Sequence, residues 1–316
     1  MFELIEETWK ESKERVGERI IYFARGNSCI KITNQGASRI RSLDTEEADT
    51  KISYFIKHAI DSYPDLKGVC IRSSSGDVDI PVILLGSFGS YANSSIILDN
   101  GTGKNRKMIR IDSSRLTTLQ QQALVGFHAY TGNDYISSFL RKTKKSWTKV
   151  IEDNDSVNFF AHLGIDELTD ELHNQAEQFI CKLYGDHRCE SVDEIRAKIF
   201  WKKLRKDGKV VDLSLLPPCS STLRKHTIRA HCIAKMWKLA SFPLQLLDSI
   251  SDNGWLPDGS IDWIECPFPN DVETLFGENE ASLGENDGEI TDDVEEDEGN
   301  DDGDDDSDIE EDCDGC

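Results

Sequence analysis

The pattern of the chain changes kind near residue 112, and that change constrains the fold more than any single motif. Before it, short apolar runs alternate with one clear amphipathic stretch. Residues 20–24 and 29–32 read as strands separated by Gly26-Asn27, after a short polar helix over 3–18. From Thr45 a helix is expected, because Ile52, Phe55, Ile56, Ala59 and Ile60 recur at helical spacing and form one apolar stripe. Tyr63-Pro64 ends it. A β-rich run follows at 68–72, then a second apolar run at 82–85. Residues 96–101 and 108–111 then read as a hairpin around Asn100-Gly101. Such alternation predicts an α/β fold with a mostly parallel sheet.

After residue 112 the periodicity is helical almost throughout. Helices are expected over 116–130, 135–151, 167–184, 192–205 and 222–247, with a break at Leu216-Pro217-Pro218. The chain therefore divides into an α/β part (1–112), a helical part (113–265) and a tail (266–316).

Charge separates the tail from the rest. The net charge is −23, yet residues 278–316 hold 21 acids and no Lys or Arg. The other 277 residues balance 38 acids against 36 bases. Beyond Phe276 the composition is Asp, Glu, Gly, Asn and Ser, with too little apolar surface to offset the entropy of ordering, so the tail is expected to be disordered. It either solubilises the chain or acts as a polyanion that binds basic proteins or covers a basic patch of the same chain.

The first residues, Met1-Phe2-Glu3-Leu4-Ile5-Glu6-Glu7, lack the basic and apolar regions of a signal peptide. The longest apolar run, residues 80–85, is far too short to span a bilayer. Nine scattered cysteines without framework spacing fit reduced thiols. These features predict an intracellular chain with no membrane partner, nuclear rather than cytoplasmic. Two His/Cys groups, Cys181 with His187 and Cys189, and His226 with His231 and Cys232, lack paired zinc-ligand spacing, and Cys313-Asp314-Gly315-Cys316 is a lone motif in the tail. Lys202-Lys203-Leu204-Arg205-Lys206 reads as a solvated helix face before it reads as a nuclear signal.

Three acidic groups stand out by position. Glu46-Glu47-Ala48-Asp49 opens the amphipathic helix. Asp77-Val78-Asp79 follows a strand and a glycine, where open α/β sheets place their sites. Asp134 sits between two expected helices in Thr131-Gly132-Asn133-Asp134-Tyr135. Singly, each has a structural role to hand. Glu47 can close a capping box with Asp44, Asp77 can be a turn residue, and Asp134 can cap a helix.

Their order along the chain resembles the flap endonuclease branch of the PIN-like nucleases: acid-x-acid on a helix, strand then Asp-x-Asp, helix then Gly-x-Asp then helix, then a basic segment. A closer likeness is to PIN-like open reading frames of animal genomes linked with mobile elements. It is carried by Glu47-Ala48-Asp49-Thr50, Ser75-Gly76-Asp77-Val78-Asp79-Ile80, His128-Ala129-Tyr130-Thr131-Gly132-Asn133-Asp134 and Arg229-Ala230-His231. It covers about residues 20–265.

The resemblance implies a metal-dependent, structure-specific nuclease. Glu47, Asp49, Asp77, Asp79 and Asp134 would bind two Mg²⁺ or Mn²⁺ ions, hard cations that oxygen ligands suit, and hydrolyse a phosphodiester. The partner would be nucleic acid, DNA before RNA. Arg141, Lys142, Lys144, Lys145 and Lys149 occupy the place of the family's backbone-gripping helix–hairpin–helix, but Leu140 and Lys142 stand where that hairpin carries glycines. Electrostatic contact is then the expected mode. The family also has aspartates on an N-terminal strand, and nothing before Glu47 supplies an apolar strand ending in Asp. The competing reading is therefore an inactive nucleic-acid-binding or scaffold protein derived from a mobile element, with a tail that binds basic proteins.

Overall fold

The computed structural model describes residues 7–261, apart from residues 9–10, 12, 26–27, 41–47, 67, 74–75, 92–93, 143, 166, 208–210 and 244–249. Glu47, the Asp44–Glu47 capping box and the acidic tail lie outside the described residues.

A single helical turn, α1 (Lys13–Val16), precedes a meander of three strands, β1 (Ile21–Arg25), β2 (Ser28–Thr33) and β3 (Gly36–Ile40). β3 has no apolar alternation and was not expected from the sequence. It forms because a short turn returns the chain beside β2 in antiparallel register, with Lys31 opposite Ser38. Helix α2 (Ala48–Ser62) follows and buries Ile56, Ala59 and Ile60, as its stripe requires. Tyr22 of β1 stacks on Phe55 of α2 at 5.4 Å, which ties the meander to this helix.

A second sheet holds β4 (Gly68–Ser73), β5 (Ser95–Asn100) and β6 (Lys107–Arg110) in that order. β4 and β5 are parallel, and the chain crosses between them through helix α3 (Asp79–Gly86). β5 and β6 form the expected antiparallel hairpin. The expected mostly parallel sheet is not what the chain builds. Among the described strands one pairing is parallel and the other three are antiparallel. The physical reason is connection length: among strands that pair with each other, only β4 and β5 are joined by a link long enough for a crossover, and the other pairs are joined by hairpin turns.

Helix α3 contains the apolar run at 82–85. It is apolar all round because it is buried on both sides. Ile80, Leu84 and Leu85 pack with Ile56, Tyr91, Ile96 and Leu98 in the α/β core. Val82 and Ile83 pack instead into the helical core with Phe127, Phe160 and Trp237. Pro81 is accommodated because it sits in the first turn, where its missing N–H removes no helical bond.

The helical part comprises α4 (Thr118–Tyr130), α5 (Trp147–Val150), α6 (Asn154–His162), α7 (Asp170–Leu183), α8 (Val192–Asp207) and α9 (Ser220–Lys238). α4 is its centre. It starts with a capping box between Thr117 and Gln120 and packs closely on α6. Gly126 makes the approach possible, since a Cβ there would come within 2.1 Å of the Phe160 carbonyl oxygen. The expected helix over 135–151 is a correction: residues 136–142 are irregular, and helix returns only as a 3₁₀ turn (Lys144–Ser146) and α5. No described helix is long and apolar enough to cross a membrane.

Candidate functional site

The carboxyl ends of β4 and β5 end side by side, and Gly101 N–H closes back on the Ser73 carbonyl at 2.9 Å. Residues 76–78 then lead into α3. Asp77 Oδ1 accepts the Asp79 backbone N–H at 3.0 Å, so Asp77 does serve the turn as one of its sequence roles required. The Asp77 carbonyl in turn accepts the Asn100 side-chain amide at 2.8 Å. This arrangement leaves Asp77 exposed and places Asp79 in the first turn of α3, half-buried.

Asp49, on the first turn of α2, comes to the same place. Ligand oxygens of Asp49, Asp77 and Asp79 all lie within 4.8 Å of one another, a spacing at which three carboxylates can hold one metal ion. Burial, followed by the charges of Asp77, Asp79 and Asp134, raises Asp49 from 3.8 to about 6. Asp134 therefore stands close enough to act on Asp49 electrostatically, though it does not join the tight trio. It is exposed at the tip of a tight turn in which Asn133 and Ile136 exchange backbone hydrogen bonds, and no described helix begins there for it to cap.

Two groups that the sequence did not single out complete the site. His128 of α4 is buried, and its Nε2 lies 2.5 Å from Asp79 Oδ1. An ionised carboxylate only accepts, so Nε2 carries the proton of this bond. Trp237 of α9 lies against the imidazole, with ring centroids 5.6 Å apart. Burial works to raise Asp79, but the His128 hydrogen bond and the charge of Lys144 outweigh it and hold the carboxyl below its ordinary range. The second group is Asn100, 7% exposed, whose Oδ1 is buried and has no hydrogen-bond partner among the described residues. His128 stood in the sequence only as the start of the His128–Asp134 motif and Asn100 only as part of a hairpin turn, so neither was expected at the carboxylates.

The five expected basic residues are not one surface. Thr131, Gly132 and residues 136–142 line an open groove of about 620 Å³, with Lys144 at its edge. Arg141 and Lys142 belong to it. Arg141 is exposed and adopts a left-handed φ of 60°, at the turn closed by Lys142 N–H to the Phe139 carbonyl. Lys142 lays its ammonium over the Tyr184 ring at 4.7 Å. Lys144 turns toward the carboxylates, with Nζ 2.9 Å from His128 Nδ1. Lys145 and Lys149 are exposed beyond it. Of the expected metal ligands, Asp49, Asp77 and Asp79 are brought together, Asp134 is near, and Glu47 is outside the described residues.

The discounted His/Cys groups have other work. His226 Nε2–H donates to the Tyr130 carbonyl at 2.8 Å, and burial pushes the His226 pKa down to about 4. His231 Nδ1 accepts the Gly164 N–H at 3.1 Å. Comparison with protein-family models, curated proteins and solved structures finds no match to this chain.

Proposed function

We propose that the protein is a PIN-like, metal-dependent nuclease that hydrolyses phosphodiester bonds with Mg²⁺ or Mn²⁺ held by Asp49, Asp77 and Asp79, with Asp134 in support. The observation that carries this reading is the convergence of three carboxylates, from two elements far apart in sequence, at the carboxyl ends of two parallel strands. A bare cluster of this kind repels itself, which adds to burial in raising Asp49, and a divalent cation favours the ionised form of such a set of hard oxygens. When bound, the metal would polarise a water and neutralise charge on the phosphate. The chain's own contribution is positional. Asp77 and the α3 N-terminus fix the ligand turn, His128 orients Asp79, and the cations of the adjoining groove face a polyanionic strand.

The competing reading, a nucleic-acid-binding or scaffold protein without turnover, draws on Asp134 standing apart from the trio. Calorimetric titration with Mg²⁺ and Mn²⁺ separates the two, run on the wild type and on Asp77→Ala/Asp79→Ala, with cleavage assays on flap and single-stranded DNA and RNA. The nuclease reading expects an ion-binding event lost in the variant and cleavage lost with it. Binding that survives the double substitution places the ions elsewhere and refutes it. Binding without cleavage selects the scaffold.

A further inference from the structure

Among the described residues, Lys144 belongs to both surfaces. It lines the basic groove, and its ammonium also reaches the imidazole that holds Asp79. Nζ lies 2.9 Å from Nδ1 and 3.3 Å from Nε2 of His128, so it rests across the ring on the side of the carboxylates. Withdrawal from solvent lowers the Lys144 pKa, and the charges of Asp79, Asp77 and Asp134 act against that. The ammonium thus sits in the field of the same acids that would hold a cation. The residue as a whole is exposed while its ammonium is drawn in against His128, so the lysine is not locked in a packed core as His128 is.

A second observation marks the cluster as a cation site rather than a chance grouping of acids. Asn100 is more than nine-tenths buried and its amide abuts the Asp77 turn, yet its Oδ1 has no donor among the described residues. Buried acceptors are normally satisfied. A buried neutral oxygen on the side chain that holds the Asp77 turn is the kind of ligand a hard cation, or a water on it, takes up.

We propose that Lys144 couples cation binding to strand binding: its ammonium partly neutralises the carboxylates in the free protein and passes to a phosphate of the strand when one enters the groove, so that a divalent cation and a nucleic-acid strand bind cooperatively. The inference rests on the metal-site reading above. A tethered cation and a divalent ion compete for one field, so either the ion or the phosphate that draws the lysine away helps the other. By linkage the effect is reciprocal.

The test is an Mn²⁺ titration of the full chain followed by paramagnetic broadening of the His128 ring resonances, with and without hexathymidylate. In the wild type the oligonucleotide should tighten Mn²⁺ binding by about fivefold or more. In Lys144→Met, Mn²⁺ without oligonucleotide should bind about fivefold tighter than in the wild type, and the gain from oligonucleotide should shrink to under about twofold. Lys144→Arg, which keeps the charge, and Lys104→Met, which removes an exposed lysine from the turn after Asn100, should both behave as the wild type. Equal Mn²⁺ affinity and equal coupling in wild type and Lys144→Met overturn the proposal. If broadening is also lost in Asp77→Asn/Asp79→Asn, the metal site stands and only the role of Lys144 falls. No broadening of His128 in any protein removes the metal site and the coupling together.

Discussion

Replacing Asp49 by asparagine should make the metal-free protein more stable, by an amount that grows from about pH 4 to about pH 6 and is then constant. Asp49 is raised from 3.8 to about 6 by burial and by its acidic neighbours. The unfolded chain therefore releases this proton at lower pH than the folded one. Between these two values the folded state holds more protons, so stability falls as pH rises through the window and stays low above it. Each tenfold change in proton affinity is worth about 1.4 kcal/mol, so the full shift corresponds to about 3 kcal/mol. Asp49 keeps partial contact with water, and screening reduces the effect to about 1–2 kcal/mol. Asparagine keeps the shape of the protonated acid and carries no charge at any pH. Urea denaturation in EDTA should find Asp49→Asn close to wild type at about pH 3.5 and about 1–2 kcal/mol more stable at pH 8. Saturating Mn²⁺ should reverse the order at pH 8, since the wild type alone keeps all three ligands. An equal stability difference at both pH values would refute the reasoning, because it would mean that Asp49 does not feel the cluster.

Two further substitutions test how the helical part is held. Lys238 is buried and its Nζ donates to the carbonyls of Ala161 at 2.7 Å and Leu163 at 2.5 Å, closing the end of α6. Lys238→Met should cost about 2–4 kcal/mol in urea melts, since buried carbonyls lose charged donors. A loss under about 0.5 kcal/mol would show that water replaces them. At Arg141 the usual order of residues should invert. Its φ of 60° strains any residue with a Cβ, so Arg141→Gly should exceed Arg141→Ala in stability by about 1 kcal/mol in paired thermal melts. Alanine equal to or above glycine would place the turn in a different conformation.

What could be read from the sequence follows the range over which each signal acts. The stripe of α2 was legible because one buried face repeats every three to four residues, and the structure buries Ile56, Ala59 and Ile60 on it. The β5–β6 hairpin was legible because Asn100-Gly101 demands a turn, and Gly101 takes φ 79° there. The run at 82–85 was ambiguous, because a helix buried on both sides loses the periodicity that distinguishes it from a buried strand. Helix α6 went unread because it is short: nine residues, with Asn154, Asp155, Asn158 and His162 exposed and the others buried, give too few repeats of the stripe to read. The site repeats the lesson at longer range. Asp49, Asp77 and Asp79 were found because their placement and order along the chain set them apart although local structural roles were open to them, whereas His128 and Lys144 were not placed at Asp79. Their meeting depends on α3 carrying Asp79 against α4 and on the chain after Asp134 turning back without a helix. The irregular stretch over 136–142 instead returns the chain so that Lys144, at the start of the 3₁₀ turn, reaches His128 while Lys145 stays exposed.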